Sequence, residues 1–97
     1  MIYPFRVLGM SMEPYCKEGD FVLALSCLFF QPQAGDVIVI KHPKEDRTLV
    51  KRIIRVKDKR SYWVEGDNTR YSSDSRDFGW ISKNLILGKA RVVRALR

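Results

Sequence analysis

The chain has 97 residues, 45% hydrophobic and 30% charged, which suits one small globular domain over residues 1–97 and excludes a disordered, collagen-like or coiled-coil protein. The net charge is +7, and sixteen of the eighteen basic side chains fall in residues 41–97. That asymmetry suits nucleic acid, an anionic membrane or plain solvation, and charge alone does not choose among them.

In chain order, the segment Val7-Leu8-Gly9-Met10-Ser11-Met12-Glu13-Pro14 places a serine in a turn before a proline-stiffened stretch. Gly-Asp pairs at Gly19-Asp20, Gly35-Asp36 and Gly66-Asp67 mark turns of the kind that bracket strands. Runs rich in β-branched and aromatic residues predict strands over 21–25, 37–40, 48–56, 61–65 and 85–93, with a loop at 31–34. No long apolar stripe at helical spacing appears, so the fold is expected to be mostly β, a single small domain of antiparallel sheets. The longest apolar run, 21–30, is half the ~20 residues of a membrane-spanning helix. Its part from 25 to 30 reads either as core strand and covered loop or as an exposed patch that touches a membrane or partner. No signal or transit peptide is visible at the start, so a complete chain is expected in the cytoplasm.

Cys16, Cys27 and His42 are too few and too scattered for a zinc site, and no cofactor is expected. A Cys16/His42 nucleophilic pair is formally possible, but nothing nearby marks either residue as activated. A serine nucleophile needs a base, and His42 lies in Lys41-His42-Pro43 without an evident orienting carboxylate. A Ser-Lys pair needs only a desolvated lysine. Along the strand at 48–56, Leu49, Lys51 and Ile53 share one face and Val50, Arg52, Ile54 and Val56 the other. Burial of the first face would lower the Lys51 pKa; periodicity by itself favours a lysine that reaches water at a sheet edge.

Several segments in order, Gly9-Met10-Ser11-Met12-Glu13-Pro14, Gly19-Asp20-Phe21-Val22-Leu23, Gly35-Asp36-Val37-Ile38-Val39-Ile40, Lys51-Arg52-Ile53 and Gly66-Asp67-Asn68 through Ser72-Ser73-Asp74-Ser75-Arg76, resemble the type I signal peptidase family. The resemblance implies a mostly β catalytic core of the signal peptidase and LexA-like kind. It also implies a serine endopeptidase that removes N-terminal leader or signal peptides after small residues. Carried over by position, Ser11 is the nucleophile, Lys51 the general base, and Ser72 the hydroxyl that orients the lysine amine. Asp74 and Arg76 brace this region as an ion pair, and Gly66, Asp67 and Asn68 shape the turn that delivers it. Leu8, Gly9, Met12 and Val50 are expected to contact the substrate, with the segment 5–9 as an edge strand that could pair with an extended peptide.

Two features depart from the bacterial pattern. Gly9 stands where many of those enzymes carry a hydroxyl for the oxyanion hole, so the N–H groups of Ser11 and Met10 are expected to bind the oxyanion, as in the similar LexA-type self-cleaving repressors. Neither a membrane anchor nor an additional β domain is evident. A complete chain is therefore similar to small soluble maturation proteases such as those of nickel-type superoxide dismutase, and a trimmed one would belong at the extracytoplasmic membrane face. The expected partner is a protein or peptide bearing an N-terminal leader, with no nucleic acid expected and membrane contact left open. Two alternatives remain: a LexA-type self-cleaving domain, and a nucleic-acid-binding domain. For the latter, residues 41–60 carry nine basic and three acidic side chains, with Tyr62 and Trp63 as stacking surfaces.

Overall fold

The Gly-Asp pairs before the second and third strands build the same turn. Gly19 and Gly35 take φ values of +93° and +97°, a conformation that costs glycine nothing. The following aspartate then folds back three residues: Asp20 Oδ2 accepts the Lys17 N–H at 3.0 Å, and Asp36 Oδ2 accepts the Gln33 N–H at 3.0 Å. Each turn launches a strand at the next residue. The third pair is used differently, as shown below.

The computed structural model describes residues 2–6, 12–17, 19–25, 31–68 and 73–93, the first of these as backbone. Its strands are β1 (Ile2–Arg6), β2 (Phe21–Leu25), β3 (Val37–Lys41), β4 (Thr48–Lys57), β5 (Ser61–Glu65), β6 (Ile81–Ser82) and β7 (Ile86–Val93), with one short helix, α1 (Ser75–Phe78). They form a single antiparallel sheet in the order β1-β2-β7-β3-β4-β5-β6. The fold is mostly β, as the strand patterning requires. Four elements escaped the patterning: β1 this early in the chain, the two-residue β6, the 3-10 turn at Lys83–Leu85, and α1, which spans a single turn.

The sheet is covered on both faces. Val37 and Val39 of β3 point into one apolar cluster with Met12, Cys16, Val22, Ala24 and Ala90. Ile38 and Ile40 point into a second with Ile53, Tyr62, Val64 and Ile81. A strand buried on both faces loses the apolar/polar alternation, and β3 accordingly reads as the uninterrupted run Val37-Ile38-Val39-Ile40. Each fully buried aliphatic side chain contributes about 1.5–3 kcal/mol by leaving water. Strands β2 and β7 must approach closely: a Cβ on Gly88 would lie 2.3 Å from the Leu25 carbonyl oxygen.

This two-sided packing separates Cys16 from His42. Cys16 is core on the first face, whereas the His42 ring packs on Phe78, 5.0 Å between centroids, against the second cluster. The possible Cys16/His42 pair is thereby excluded. Cys27 and the rest of the run 26–30 lie outside the described residues.

Candidate active site

Lys51 sits near the middle of β4, opposite Ile38 of β3 and between Leu49 and Ile53 on its own face. Alternation therefore directs it into the second cluster, and it is 1% exposed. A lysine reaching water at a sheet edge, which periodicity alone favoured, is thus ruled out, because β4 is flanked by β3 and β5. Desolvation pushes its pKa down from 10.5 to about 8, and the nearby cations Arg47 and Arg76 push the same way. Asp74 and Asp77 act against them by favouring the ammonium.

The segment 66–78 is fastened over β5 by buried polar groups. Asp74, fully buried, caps α1: Oδ1 accepts the Arg76 N–H at 3.1 Å, and its own N–H reaches Asp77 in a capping box. The same carboxylate takes the Arg76 guanidinium at 2.9 and 2.6 Å and the Gly66 N–H at 2.9 Å. Ser75 Oγ, also buried, accepts the Val64 N–H at 2.8 Å. β6 pairs with β5 only at Ser61 and Tyr62. The side chains of Ser75 and Asp74 take up the N–H groups of Val64 and Gly66, beyond the end of the β5–β6 pairing. Sequence reasoning missed Ser75, whose only signal was its place after an N-capping aspartate.

Beside it, Arg52 ties four segments together. Its guanidinium holds the Asp67 carboxylate through two hydrogen bonds of 2.9 Å, donates to the Gly35 carbonyl at 2.9 Å and lies 5.2 Å from the centre of the Tyr15 ring. The Asp67 N–H in turn meets Met12 Sδ at 3.4 Å. Met12 is buried in the first cluster and Val50 packs against that cluster, on the face away from Lys51. Asn68 is half-buried. Leu8, Gly9, Met10, Ser11 and Ser72 lie outside the described residues.

His42 proves to be structural in its contacts. Its Nδ1 accepts the N–H groups of Lys44 and Glu45 at 3.0 and 3.1 Å, and its Nε2 faces Glu45 Oε2 at 3.0 Å. These bonds close the β3–β4 loop. Tyr62 is fully buried, with its hydroxyl 2.9 Å from Gln31 Nε2, which removes it as a base-stacking surface. Among the described residues no cluster of histidine, cysteine, aspartate or glutamate could hold a metal ion.

A buried lysine of lowered pKa, set on a strand beside an Asp-capped loop, agrees with what comparison with known proteins finds. The family model described as signal peptidase, peptidase S26, matches residues 1–57 and 55–95. The chain belongs to the peptidase S26 signal peptidase family. Similar proteins include mitochondrial inner membrane protease subunit 1 of Mus musculus, 37% identical over 103 residues, covering 84% of this chain and 62% of the relative. The mitochondrial ATP-independent inner membrane protease subunit 1a of Arabidopsis thaliana is 33% identical over 110 residues, covering 88% of this chain and 66% of its own length. The signal peptidase complex catalytic subunit SEC11C of Homo sapiens is 30% identical over 94 residues, covering 88% and 48% respectively. The chain thus spans about half to two thirds of the S26 relatives it matches. No described helix is long and apolar enough to cross a membrane.

Proposed function

We propose that this chain is a serine endopeptidase domain with a Ser-Lys dyad that removes N-terminal leader peptides after small residues. The observation that carries the reading is the burial of Lys51 between Leu49 and Ile53, which holds its pKa at about 8 and makes a neutral amine accessible near physiological pH. Cys16 is core on the opposite face, and both ring nitrogens of His42 are taken up within their own loop.

In this reading the Ser11 hydroxyl oxygen attacks the scissile carbonyl while Lys51 Nζ takes its proton. The N–H groups of Ser11 and Met10 stabilise the oxyanion. Lys51 then gives the proton to the leaving amine, and water hydrolyses the acyl-enzyme by the same route in reverse. Ser72 orients the amine, and the Gly66-Asp67-Asn68 turn with the Asp74–Arg76 pair holds that serine's loop in place. Two observations support a role for Arg52 and Met12 in setting the loop after Ser11: the Arg52–Asp67 pair and the contact between Asp67 and Met12. An extended substrate adds along the segment 5–9, which begins in β1 at the edge of the sheet, near Leu8, Gly9 and Val50; Met12, 2% exposed in the first cluster, supports the site from beneath instead of touching the peptide. The names of the relatives, as membrane protease and signal peptidase subunits, support a leader-bearing protein substrate and a working place at a membrane.

The test is digestion of a diverse peptide mixture by the purified chain, with cut sites mapped by mass spectrometry and Ser11→Ala in parallel. Cuts after small residues that vanish in Ser11→Ala are expected. Cuts that persist in Ser11→Ala would overturn the assignment, and first-order self-cleavage would favour the LexA-type alternative.

A further inference from the structure

The face of β4 and β5 that points away from Lys51 carries features that the proposed reaction does not use. Arg55 pairs with Trp63 and Lys57 with Ser61 across the two strands, while Ile53, Tyr62 and Val64 face the second cluster. Trp63 and Trp80 are the chain's two tryptophans, and they meet edge to face with centroids 5.4 Å apart. The register shift between Ile53 and Arg55 turns Ile54 outward, so that it is 47% exposed, and Trp80 is 39% exposed. Ile54, Arg55, Trp63, Glu65 and Trp80 line one shallow depression.

The charges of this depression are unequal. Its one carboxylate, Glu65, is already engaged by the Trp63 indole N–H at 2.8 Å and by Arg76 at 3.9 Å. The cations are differently placed: Lys57 Nζ lies 6.0 Å from the centre of the Trp80 ring, and among the described residues neither Arg55 nor Lys57 has an ion-pair partner. An apolar floor walled by two fixed indoles and rimmed by unpaired cations complements an apolar side chain flanked by carboxylates. A concave floor fits an inserted side chain better than the flat surface of a bilayer.

We propose that this face docks an acidic segment of a partner protein, seating an apolar side chain between Ile54 and Trp80 and carboxylates on Arg55 and Lys57. The partner would sit on the face away from Lys51 at the Arg55–Lys57 end of β4, whereas Val50, on that same face, lies toward the Thr48 end. The proposal does not depend on the assigned chemistry.

The test is selection of a displayed random twelve-residue peptide library on the full chain carrying Ser11→Ala, which leaves bound peptides uncut. Selected peptides are expected to place Asp or Glu beside Leu, Phe or Trp and to bind more weakly as salt rises. They should also change the tryptophan emission, since both indoles lie on this face. Lys57→Glu and Ile54→Ser, both at exposed positions, are expected to weaken binding at least tenfold. In the Ser11 chain the same substitutions should leave the cleavage rate of a reference peptide unchanged. Three outcomes would overturn the proposal: no enrichment of acidic sequences, acidic peptides whose affinity ignores both substitutions, or an emission change only with phosphatidylglycerol-containing vesicles that both substitutions abolish. The last would assign the face to a membrane.

Discussion

Lys51 shows how one residue's position sets its chemistry. An amine with a pKa of about 8 is neutral in roughly one molecule in ten at pH 7, against fewer than about one in a thousand for a solvated lysine. On the proposed dyad only the neutral form accepts the serine proton. Activity, measured as kcat/KM on a peptide substrate, is therefore expected to rise about tenfold per pH unit below pH 8 and to level off above it. Lys51→Arg, charged throughout that range, is expected to be inert, and an active Lys51→Arg variant would end the dyad assignment. Asp74 matters for a different reason. Its fully buried carboxylate is shared by the Arg76 guanidinium and the Gly66 N–H, so Asp74→Ala leaves the buried Gly66 N–H without its acceptor while the exposed Arg76 side chain turns to water. A loss of about 2–3 kcal/mol in urea unfolding is expected, from the lost cap of α1 and the buried Gly66 N–H left without an acceptor.

At the scale of elements, much was legible because strand chemistry is local. The predicted strands at 21–25 and 61–65 match β2 and β5 to the residue, and those at 37–40, 48–56 and 85–93 fall within a residue of β3, β4 and β7 at each end. The turns were legible too, since Gly19-Asp20 and Gly35-Asp36 carry their own hydrogen-bonding instructions. What alternation alone could not show was the register shift between Ile53 and Arg55, which breaks the strict two-residue period and sends Ile54 outward. Gly88 is a similar case, a glycine whose need arises only because β2 lies against β7. Gly88→Ala would press a methyl group onto the Leu25 carbonyl, and a loss of about 3 kcal/mol or more is expected in chemical denaturation.

Across the whole molecule, two apolar clusters on opposite faces stabilise the sheet, and the lysine is buried at the expense of that stability. Its folded pKa of about 8 lies below the 10.5 of an unfolded lysine, so between those values the unfolded chain holds the extra proton. Its contribution therefore rises with pH from 8 to 10.5 and is lowest below pH 8. That difference between the folded and unfolded chain corresponds to roughly 3 kcal/mol. Lys51→Met is therefore expected to be more stable than the parent at pH 7, with the gap closing toward pH 10.5. Urea titrations of both chains across that range check the sign; a gap that widens with pH would contradict it.

By itself the amino-acid order determined the strands, the Gly-Asp turns, the family resemblance and the candidate roles of Ser11 and Lys51, because these depend on local patterns or on motifs met in succession. It left open whether Lys51 was buried, since both faces of residues 49–56 mix apolar side chains with cations. Only the tertiary structure decided that, by flanking β4 with β3 and β5 and covering the Leu49/Lys51/Ile53 face with the second cluster. It also separated Cys16 from His42, brought Asp74 and Ser75 to the N–H groups of Gly66 and Val64, and joined Arg52 to Asp67. All of these rest on contacts between residues distant in the chain. Burial and pairing depend on what packs from elsewhere, which no window of sequence contains.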